Sequence, residues 1–457
     1  MLQSTRTRVI RFSCAAIVLG AGMMLASAAG PPPERSARQA DLDAARQKYV
    51  DRAPSFSPGA RTRASEWISS LRAQADAMTD AQFVLALARI AAFADNGHDA
   101  YDLGDGAWTP ALRLPVRMIW FPDALIIART AREQADLLGA SVVSVEGLTP
   151  AQLLERLRPL QGGTDTYRRW QMNWIFHSPE ALNALGIAHA SDRLDVRLKL
   201  KDGNTVDRTL NARPKTEMPA GQQPSRYWIP TPLPGEAEKG WRSAIDPSQA
   251  PLYLQEGDKW FRVMPMNELD ALYVQFRSNM DEDDAKIGPF VKEVSQRLKK
   301  TPPRNIIVDL RFDTGGDNTK NRGLMKQIAK AVPGRIYLMV GNYTFSAGIA
   351  TAAALAHDGG ARVTIAGSEL GDRMHWWSEH GENVCLPASK VCFSLNTGYW
   401  DIVNGCKSNP RCYGDQFDLN VPSLEPALPA PLLSTDWLAN RDPALEAIAA
   451  NLKKLRN

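Results

Sequence analysis

The sequence predicts an α/β protein whose core is a largely parallel β-sheet covered by helices. From about residue 252 onward, short apolar runs alternate with amphipathic stretches of helical period, and repeated strand–helix units of this kind build parallel sheets. The composition, 44% hydrophobic and 23% charged, is that of a globular protein and excludes collagen-like, fibrous and disordered classes. The length of 457 residues allows about two or three domains, each with its own core.

The core elements follow one another in a regular order. The apolar runs that predict strands are Ala271–Phe276, Asn305–Leu310, Ile336–Val340 and Val363–Ala366. The amphipathic or apolar stretches that predict helices are 285–298, 323–331 and 347–357. The core is expected over 252–440, followed by a C-terminal helix over 441–457.

The chain before the core divides into three regions. Residues 37–104 have a helical pattern, with a second helix expected over about 80–93. Within 105–214, the strand, glycine and helix order of "GASVVSVEGLTPAQLLERL" resembles part of a PDZ domain, and Asp202-Gly203-Asn204 predicts a hairpin turn. A small α/β insertion explains this region equally well. Residues 215–251, rich in Pro, Gly and Gln, are expected to be a linker.

The N-terminus has the pattern of an export signal. Residues 1–28 contain three arginines, an apolar run over 14–25 and small residues at 26–28, which together are typical of a signal peptide. Cys14 lies at the start of the apolar run, where a lipoprotein cysteine would not be. A Pro-rich tether is expected over 29–36, and the mature protein is expected to be periplasmic or secreted.

Charge and cysteine content narrow the function class further. A net charge of only +4 argues against nucleic acid as the main partner. The four cysteines after the signal lie close together in the chain, and in an oxidising compartment they predict two local disulfides: Cys385, Cys392, Cys406 and Cys412. Three connectivities stay open. A zinc site is less favoured because close C-x-x-C pairs are absent from the sequence.

Two loops at strand ends contain the candidate catalytic residues. In the first, Gly315-Gly316 follows a strand and allows a sharp turn that exposes N–H groups. In the second, Ser346 precedes Ala347 at a helix N-terminus, where free N–H groups favour negative charge. An acyl-transfer site needs this combination of nucleophile and oxyanion donors.

Plainer interpretations exist for both loops. Ser346 has the position of an ordinary helix N-cap, and Gly315-Gly316 that of an ordinary turn. Neither loop matches a nucleophile elbow, a Walker loop, a dinucleotide fingerprint or H-E-x-x-H. From the residues alone the interpretation ends at a serine hydrolase.

A resemblance to a known family extends the interpretation beyond a serine hydrolase. "NIIVDLRFDTGGDN" and "IYLMVGNYTFSAGIATAAALAHDGGARVTIAGSELGDR" resemble the core of the tail-specific proteases, or C-terminal processing peptidases. The family pattern is D-L-R-x-N-x-G-G, then a T-x-S-A-type loop, then a strand ending in glycine, here Gly367. The resemblance covers about 252–422. It implies a crotonase/Clp-protease-like core, similar to the tricorn core protease and retinoid-binding modules, with Ser346 as the nucleophile.

The general base departs from this pattern. Bacterial members of the family use a lysine a few residues beyond the glycine, but this chain has Arg373 in that stretch and its next lysine is Lys390. Arginine does not give up its proton at working pH. The tricorn branch uses an N-terminal histidine instead, and the segment around His98 is similar to its D-G-H segment. The weaker histidine candidates are His357, His375 and His380.

The loop after the last predicted strand contains candidates for further catalytic and binding roles. A carboxylate that orients the histidine is expected at Glu379 or Asp372, with Glu369 as the next candidate. Arg373 is a candidate for holding a substrate carboxylate in two hydrogen bonds.

The sequence thus predicts an exported serine peptidase. Ser346 attacks a peptide carbonyl, His98 takes the serine proton, and N–H groups near Gly315, Gly316 and Ala347 hold the oxyanion. No metal or organic cofactor is required for this chemistry. The alternatives are a non-catalytic peptide- or protein-binding relative, which the missing lysine favours, and an esterase, which uses the same acyl chemistry.

Overall fold

The structure, a computed structural model, describes residues 35–282, 285–379, 381–413 and 419–456. The predicted signal peptide and nearly all of the predicted tether lie outside the described residues. Among the helices in these ranges, none has both the length and the apolar character needed to cross a bilayer.

The N-terminal region is helical, as predicted. Helix α1 (Arg35–Ala44) continues as a π-helical turn, and α2 (Pro58–Arg72) and α3 (Asp80–Ala92) follow. Thr79 begins α3 with a capping box, in which the Thr79 hydroxyl accepts from the Gln82 N–H and the Gln82 side chain accepts from the Thr79 N–H.

An antiparallel sheet follows these helices. Its strands are β3 (Val116–Trp120), β4 (Leu125–Thr130), β5 (Ser141–Val145), β6 (Arg193–Lys199) and β7 (Thr205–Asn211), in the order β3-β4-β5-β6-β7. The predicted hairpin is confirmed, because β6 and β7 pair antiparallel across the turn at 200–204. The short strand β9 (Arg242–Ser243) joins this sheet by pairing with β4, whereas β2 (Leu112–Arg113) forms a two-stranded sheet with β8 (Arg213–Pro214) and β1 (Tyr101–Leu103) belongs to a separate small sheet.

Short helices connect β5 to β6. They are α4 (Pro150–Leu157), α5 (Asp165–Gln171), α6 (Asn173–Phe176) and α7 (Pro179–Ala184). Thr149 caps α4 as the sequence predicts. A hydrophobic cluster between these helices and the sheet includes Leu153, Leu157, Ile175 and Val196, so this region has its own core.

The predicted parallel sheet is confirmed. Its strands are β10 (Phe261–Met266), β11 (Ala271–Phe276), β12 (Asn305–Asp309), β13 (Ile336–Val340), β14 (Val363–Gly367) and β19 (Leu428–Pro429). From β11 to β19 every neighbouring pair is parallel, while β10 pairs antiparallel with β11. Parallel strands direct their carboxyl ends to one edge of the sheet, where ligand sites form.

Helices cover both faces of this sheet. Helices α8 (Ile287–Lys300), α9 (Thr319–Ala331) and α10 (Ala347–Gly359) pack on one face through a large apolar cluster. Helix α12 (Pro443–Arg456) packs on the other face, against a cluster that includes Tyr273 and Tyr337. Burial on both faces explains why these strands are continuous apolar runs in the sequence.

The C-terminal loop region forms small antiparallel pairs. Its elements are β15 (His375–Ser378), β16 (Glu382–Cys385), β17 (Val391–Leu395), β18 (Gly398–Asp401) and α11 (Ser434–Leu438). Strand β1 pairs with β17, which attaches the N-terminal region to this loop. The two local disulfides are present as Cys385–Cys392 and Cys406–Cys412.

The segment 215–251, predicted as a linker, packs tightly. Trp228 is buried and donates a hydrogen bond to the Tyr343 hydroxyl (2.9 Å). Glu236 is buried as well and accepts from Arg129 on β4, with Nε–Oε distances of 2.9 and 3.0 Å. This segment therefore joins the antiparallel sheet to the core.

Loss of the Glu236 carboxylate should destabilise the protein strongly. In Glu236→Gln the Arg129 guanidinium, 1% exposed, loses its only carboxylate partner among the described residues. Leaving one buried charge unpaired costs roughly 3–5 kcal/mol. Urea unfolding measures the change, with Glu238→Gln, which removes an exposed charge two residues away, as control. If both variants lowered the free energy of unfolding by the same small amount, this would contradict the stabilising role of Glu236.

Candidate active site

A buried ion-pair cluster anchors the first loop. Arg311, which follows β12, donates to both oxygens of Asp309 (2.8 and 3.0 Å) and both oxygens of Asp442 (2.8 and 3.0 Å). Burial favours the neutral carboxyl, but the Arg311 charge outweighs it and lowers the pKa of Asp309. The loop therefore begins from a fixed point at the carboxyl end of β12.

Ser346 has a strained backbone at the junction of β13 and α10. Its φ and ψ are 51° and −121°, a conformation that only glycine adopts without strain, and such residues cost about 1–3 kcal/mol and cluster at functional sites. Its side chain makes no capping hydrogen bond to α10. Ser346 therefore occupies the N-cap position of α10, but its side chain does not cap the helix.

The glycine turn lies directly against Ser346. Gly315 and Gly316 have φ values of 101° and 133°. A β-carbon at Gly315 would lie 2.8 Å from the Ser346 Cβ and 3.2 Å from the Ala347 nitrogen. The turn thus borders the serine and the first N–H of α10, which has no carbonyl acceptor within the helix.

The donors predicted for the oxyanion differ in availability. The Gly315 N–H already donates to Asp313 Oδ1 (3.0 Å). The Gly316 N–H and the Ala347 N–H stay predicted oxyanion donors.

Asp313 is a site residue that the motif analysis missed. It is fully buried, and its Oδ2 has no hydrogen-bond partner among the described residues. Burial raises its pKa to about 8. Its Cγ would lie 3.2 Å from a β-carbon at Gly348, so the carboxyl group sits at the start of α10. The signal for it was the family pattern D-L-R-x-N-x-G-G, in which this position is asparagine.

The structure brings His98 to the serine loop. Its ring stacks on Phe345, the residue before Ser346, with ring centroids 4.5 Å apart. Tyr167 stacks on Phe345 as well (4.6 Å), necessarily on the opposite face. On its other side His98 faces Trp376 (5.6 Å), which in turn stacks on Trp400 (5.5 Å). His98 therefore lies inside a column of aromatic rings.

This column keeps the imidazole neutral and unpartnered. Both ring nitrogens are buried and have no hydrogen-bond partner among the described residues, so His98 does not hydrogen-bond Ser346 here. Burial lowers the pKa of His98 to about 3. The imidazole has the protonation state of a base at neutral pH but is a weak one in this position.

Hydrogen bonds to the C-terminal loop hold the His98 turn in place. Asn96 exchanges two hydrogen bonds with the Trp377 backbone (2.8 and 3.1 Å). The Asn396 amide donates to the His98 carbonyl (2.8 Å) and to the Asp99 carboxylate (2.9 Å). Burial raises the pKa of Asp99 to about 7.

The predicted accessory residues lie around this turn. Arg373 donates to the carbonyl and the carboxylate of Asp95 (2.6 and 2.8 Å), so it joins the two segments; its role in binding a substrate carboxylate stays a prediction. Asp372 is buried against Gly97, and burial raises its pKa to about 6. Glu379 is exposed at the end of β15 and accepts from the Ser378 hydroxyl (3.4 Å).

The remaining candidates lie elsewhere. Glu369 accepts from the Thr166 hydroxyl (2.6 Å). His357 lies in the last turn of α10, about 16 Å along the helix from Ser346. His375 is exposed on β15, Lys390 donates to a turn carbonyl in the β16–β17 connection, and His380 lies outside the described residues.

Comparison with known proteins identifies the fold of this chain. No protein-family model and no curated protein sequence matches the chain. Among solved structures, the chain has the fold of CPAF, a member of the tail-specific protease family. The resemblance drawn from the motifs is thus confirmed at the level of fold.

Three CPAF structures have a similar fold over most of this chain. Mature CPAF is 12% identical, with 93% of this chain and 97% of that chain covered and a TM-score of 0.57. Mature CPAF complexed with lactacystin is 11% identical, with 93% and 98% covered and a TM-score of 0.55. A serine-to-alanine mutant of CPAF is 13% identical, with 92% and 96% covered and a TM-score of 0.54.

The buried Asp313 carboxyl predicts a pH-dependent stability. The pKa of Asp313 is about 8 in the folded chain against an ordinary value of 3.8. The protonated carboxyl therefore makes its full contribution to the free energy of unfolding below about pH 4, and this contribution is lost as the pH rises to about 8. Each pKa unit corresponds to about 1.4 kcal/mol. Relative to Asp313→Asn, which keeps the acceptor for Gly315, the wild-type free energy of unfolding should therefore fall between about pH 4.5 and pH 8.

Urea unfolding at several pH values tests this. Asp317→Asn removes an exposed carboxylate from the same loop and controls for the lost charge. A difference between wild type and Asp313→Asn that stays constant with pH would contradict burial of a protonated carboxyl.

Proposed function

We propose that the chain is an exported serine peptidase of the tail-specific protease family. The observation that carries this proposal is Ser346, held in a strained conformation at a helix N-terminus against a glycine turn. Backbone strain of this size is typical of functional sites and not of ordinary loop serines. The CPAF-like fold supports a peptidase, and two disulfides support an oxidising compartment.

In the proposed reaction, Ser346 Oγ attacks the carbonyl carbon of a peptide bond. Its proton passes to His98, and the carbonyl electrons move onto the oxygen, which the N–H groups of Ala347 and Gly316 stabilise. His98 then gives the proton to the departing amine. Water hydrolyses the acyl-enzyme by the same route.

This reaction requires His98 to leave its stacked position. Stacked and buried, the imidazole makes no hydrogen bond and has a lowered pKa. Rotation towards Ser346 would expose a nitrogen to the hydroxyl, and a carboxylate such as Glu379 or Asp372 would then stabilise the imidazolium. Hydrogen bonds of this kind are often unmade without substrate.

The test is labelling of the mature, oxidised protein with a fluorophosphonate probe. Wild type should label, whereas Ser346→Ala and His98→Phe should not, because the first removes the nucleophile and the second keeps an aromatic ring in the column without a proton acceptor. Ser69→Ala, which changes an exposed serine on α2, should label normally. An inert wild type, or labelling that survives in Ser346→Ala, would overturn the proposal.

Gly315 is expected to be essential for the same reactivity. In Gly315→Ala the new methyl group would meet Ser346 and Ala347, and the residue would keep a φ that alanine disfavours. We expect labelling to be abolished while the fold is retained in circular dichroism spectra. Gly323→Ala, in α9 with open space around its β-carbon, should label normally and stabilise the protein by up to about 1 kcal/mol.

Two observations favour the second candidate function. Neither ring nitrogen of His98 has a hydrogen-bond partner among the described residues, and the family lysine is missing. A non-catalytic relative that binds peptides in the same cleft would show this arrangement. Probe labelling separates it from the peptidase, and turnover of a p-nitrophenyl ester without peptide cleavage would identify an esterase.

We also propose that the region 105–214 is the PDZ-like domain and 252–440 the crotonase/Clp-protease-like core. The order of β5, Gly147 and α4 supports the first assignment, and the parallel sheet with helices on both faces supports the second. In this arrangement the partner is a peptide or protein substrate.

A further inference from the structure

The outer surface of helices α8 and α9 carries a concentration of positive charge. The two helices contain eight basic residues and one acidic residue, whereas the net charge of the whole chain is only +4. The surface that we call the lysine face consists of five exposed lysines on these helices: Lys292, Lys299, Lys300, Lys326 and Lys330.

The two helices lie side by side, so these lysines share one surface. The Ser295 hydroxyl on α8 donates to the side-chain oxygen of Gln327 on α9 (2.5 Å), and the Gln327 amide donates to the Ser295 carbonyl (2.9 Å). Lys292 and Lys299 lie about one turn before and after Ser295, and Lys330 lies about one turn after Gln327. The backbone positions of the lysines therefore form a patch about 10 Å across.

The lysine face has no counter-charge within the fold. None of its five lysines forms an ion pair with another residue in the described ranges. Two arginines of the same helices are a contrast, because Arg297 pairs with Glu293 (2.9 Å) and Arg322 pairs with Asp358. The fold thus neutralises these arginines and leaves the lysine charges to solvent or to a partner.

Helix stability explains only part of this pattern. Basic residues in the last turn of a helix complement the helix dipole, and this effect falls off within that turn. It accounts for Lys299 and Lys300 in α8 and for Lys330 in α9. Lys292 and Lys326 lie in the middle of their helices, where the dipole gives no such benefit.

The composition of the lysine face indicates the kind of partner. Protein interfaces are enriched in aromatic residues and arginine and depleted in lysine, and single-stranded nucleic acids stack on aromatic side chains. Helices α8 and α9 have neither an exposed aromatic nor an exposed large apolar side chain. A group of lysines without such anchors fits the headgroup layer of an anionic membrane, which attracts clustered positive charge.

We propose that the lysine face docks the protein on an anionic phospholipid surface. The contact is electrostatic and peripheral, and each lysine near the surface strengthens it about fivefold. Because α8 and α9 run back from the carboxyl ends of the strands, most of the lysine face lies away from the edge that holds Ser346. The docked protein therefore keeps that edge open, and docking does not depend on peptidase activity.

Co-sedimentation of the mature, oxidised protein with vesicles tests this. One set of vesicles contains phosphatidylcholine alone, and the other contains equal parts of phosphatidylcholine and phosphatidylglycerol. We expect binding to the anionic vesicles that weakens as salt is raised, because salt screens exposed charges, and no binding to the neutral vesicles. Equal binding to both sets, or no binding to the anionic vesicles at low salt, would overturn the proposal.

Variants then assign the binding to the lysine face. The triple variant Lys292→Gln, Lys299→Gln, Lys326→Gln should bind anionic vesicles about 100-fold more weakly than wild type. Undiminished binding would exclude the lysine face. Circular dichroism spectra check the fold; if the triple variant does not fold, the single variants Lys292→Gln and Lys326→Gln, each expected to weaken binding about fivefold, decide the same question.

A second triple variant controls for net charge. Lys48→Gln, Lys199→Gln, Lys239→Gln removes three exposed positive charges from the region before the parallel sheet. Binding to anionic vesicles should weaken far less than in the first triple variant. An equal loss in both would show that overall charge and not the lysine face attracts the protein to the vesicles, which would overturn the proposal.

A short DNA duplex tests the rival partner, a nucleic acid. We expect the duplex to bind more weakly than the anionic vesicles at the same salt concentration. Duplex binding as tight as vesicle binding, and lost in the first triple variant, would assign the lysine face to polyanions in general and overturn the lipid assignment. Because none of these measurements requires turnover, failure of the peptidase proposal would leave the result intact.

Discussion

The buried pairing of Arg311 with Asp309 and Asp442 is the interaction on which the site depends. It joins the carboxyl end of β12, the loop that carries Asp313 and Gly315, and the start of α12 on the opposite face of the sheet. The Tyr273 hydroxyl donates to Asp309 as well (2.6 Å), which adds β11. Buried charges of this kind are stable only as a complete set, so the loop has one position relative to the sheet.

From that fixed loop the backbone of the site follows by close contact. Gly315 approaches Ser346 so closely that no side chain fits between them, and Gly348 approaches the Asp313 carboxyl in the same way. Small residues at these points let two loops from neighbouring strands share one small volume. The strain at Ser346 persists because both loops are held from both sides.

The His98 side of the site, which the proposed reaction uses as the base, is organised differently. His98 arrives on a turn fixed by Asn96 and Asn396, yet its ring is held by aromatic stacking and not by hydrogen bonds. Nonpolar contacts impose little direction on a ring compared with a hydrogen bond. In the proposed reaction Ser346 is therefore preorganised, whereas the His98 imidazole must exchange stacking for a polar contact before it acts as the base.

The sequence by itself determined the local features of this protein. Periodicity placed the parallel strands and their helices, Thr149 and the Asp202–Asn204 turn placed a helix start and a hairpin, and spacing indicated two local disulfides. The motif around Ser346 predicted the nucleophile, and that role stays a prediction. These features depend on residues close together in the chain, whose conformational preferences act locally.

Only the tertiary structure decided what distant segments do to each other. It placed His98 between Phe345 and Trp376, paired Arg373 with Asp95, and buried Asp313 without a partner for one oxygen. It also packed the proline-rich segment around Trp228 into the core. Burial and pairing depend on contacts between residues far apart in sequence, and local pattern carries no information on which charges find a partner.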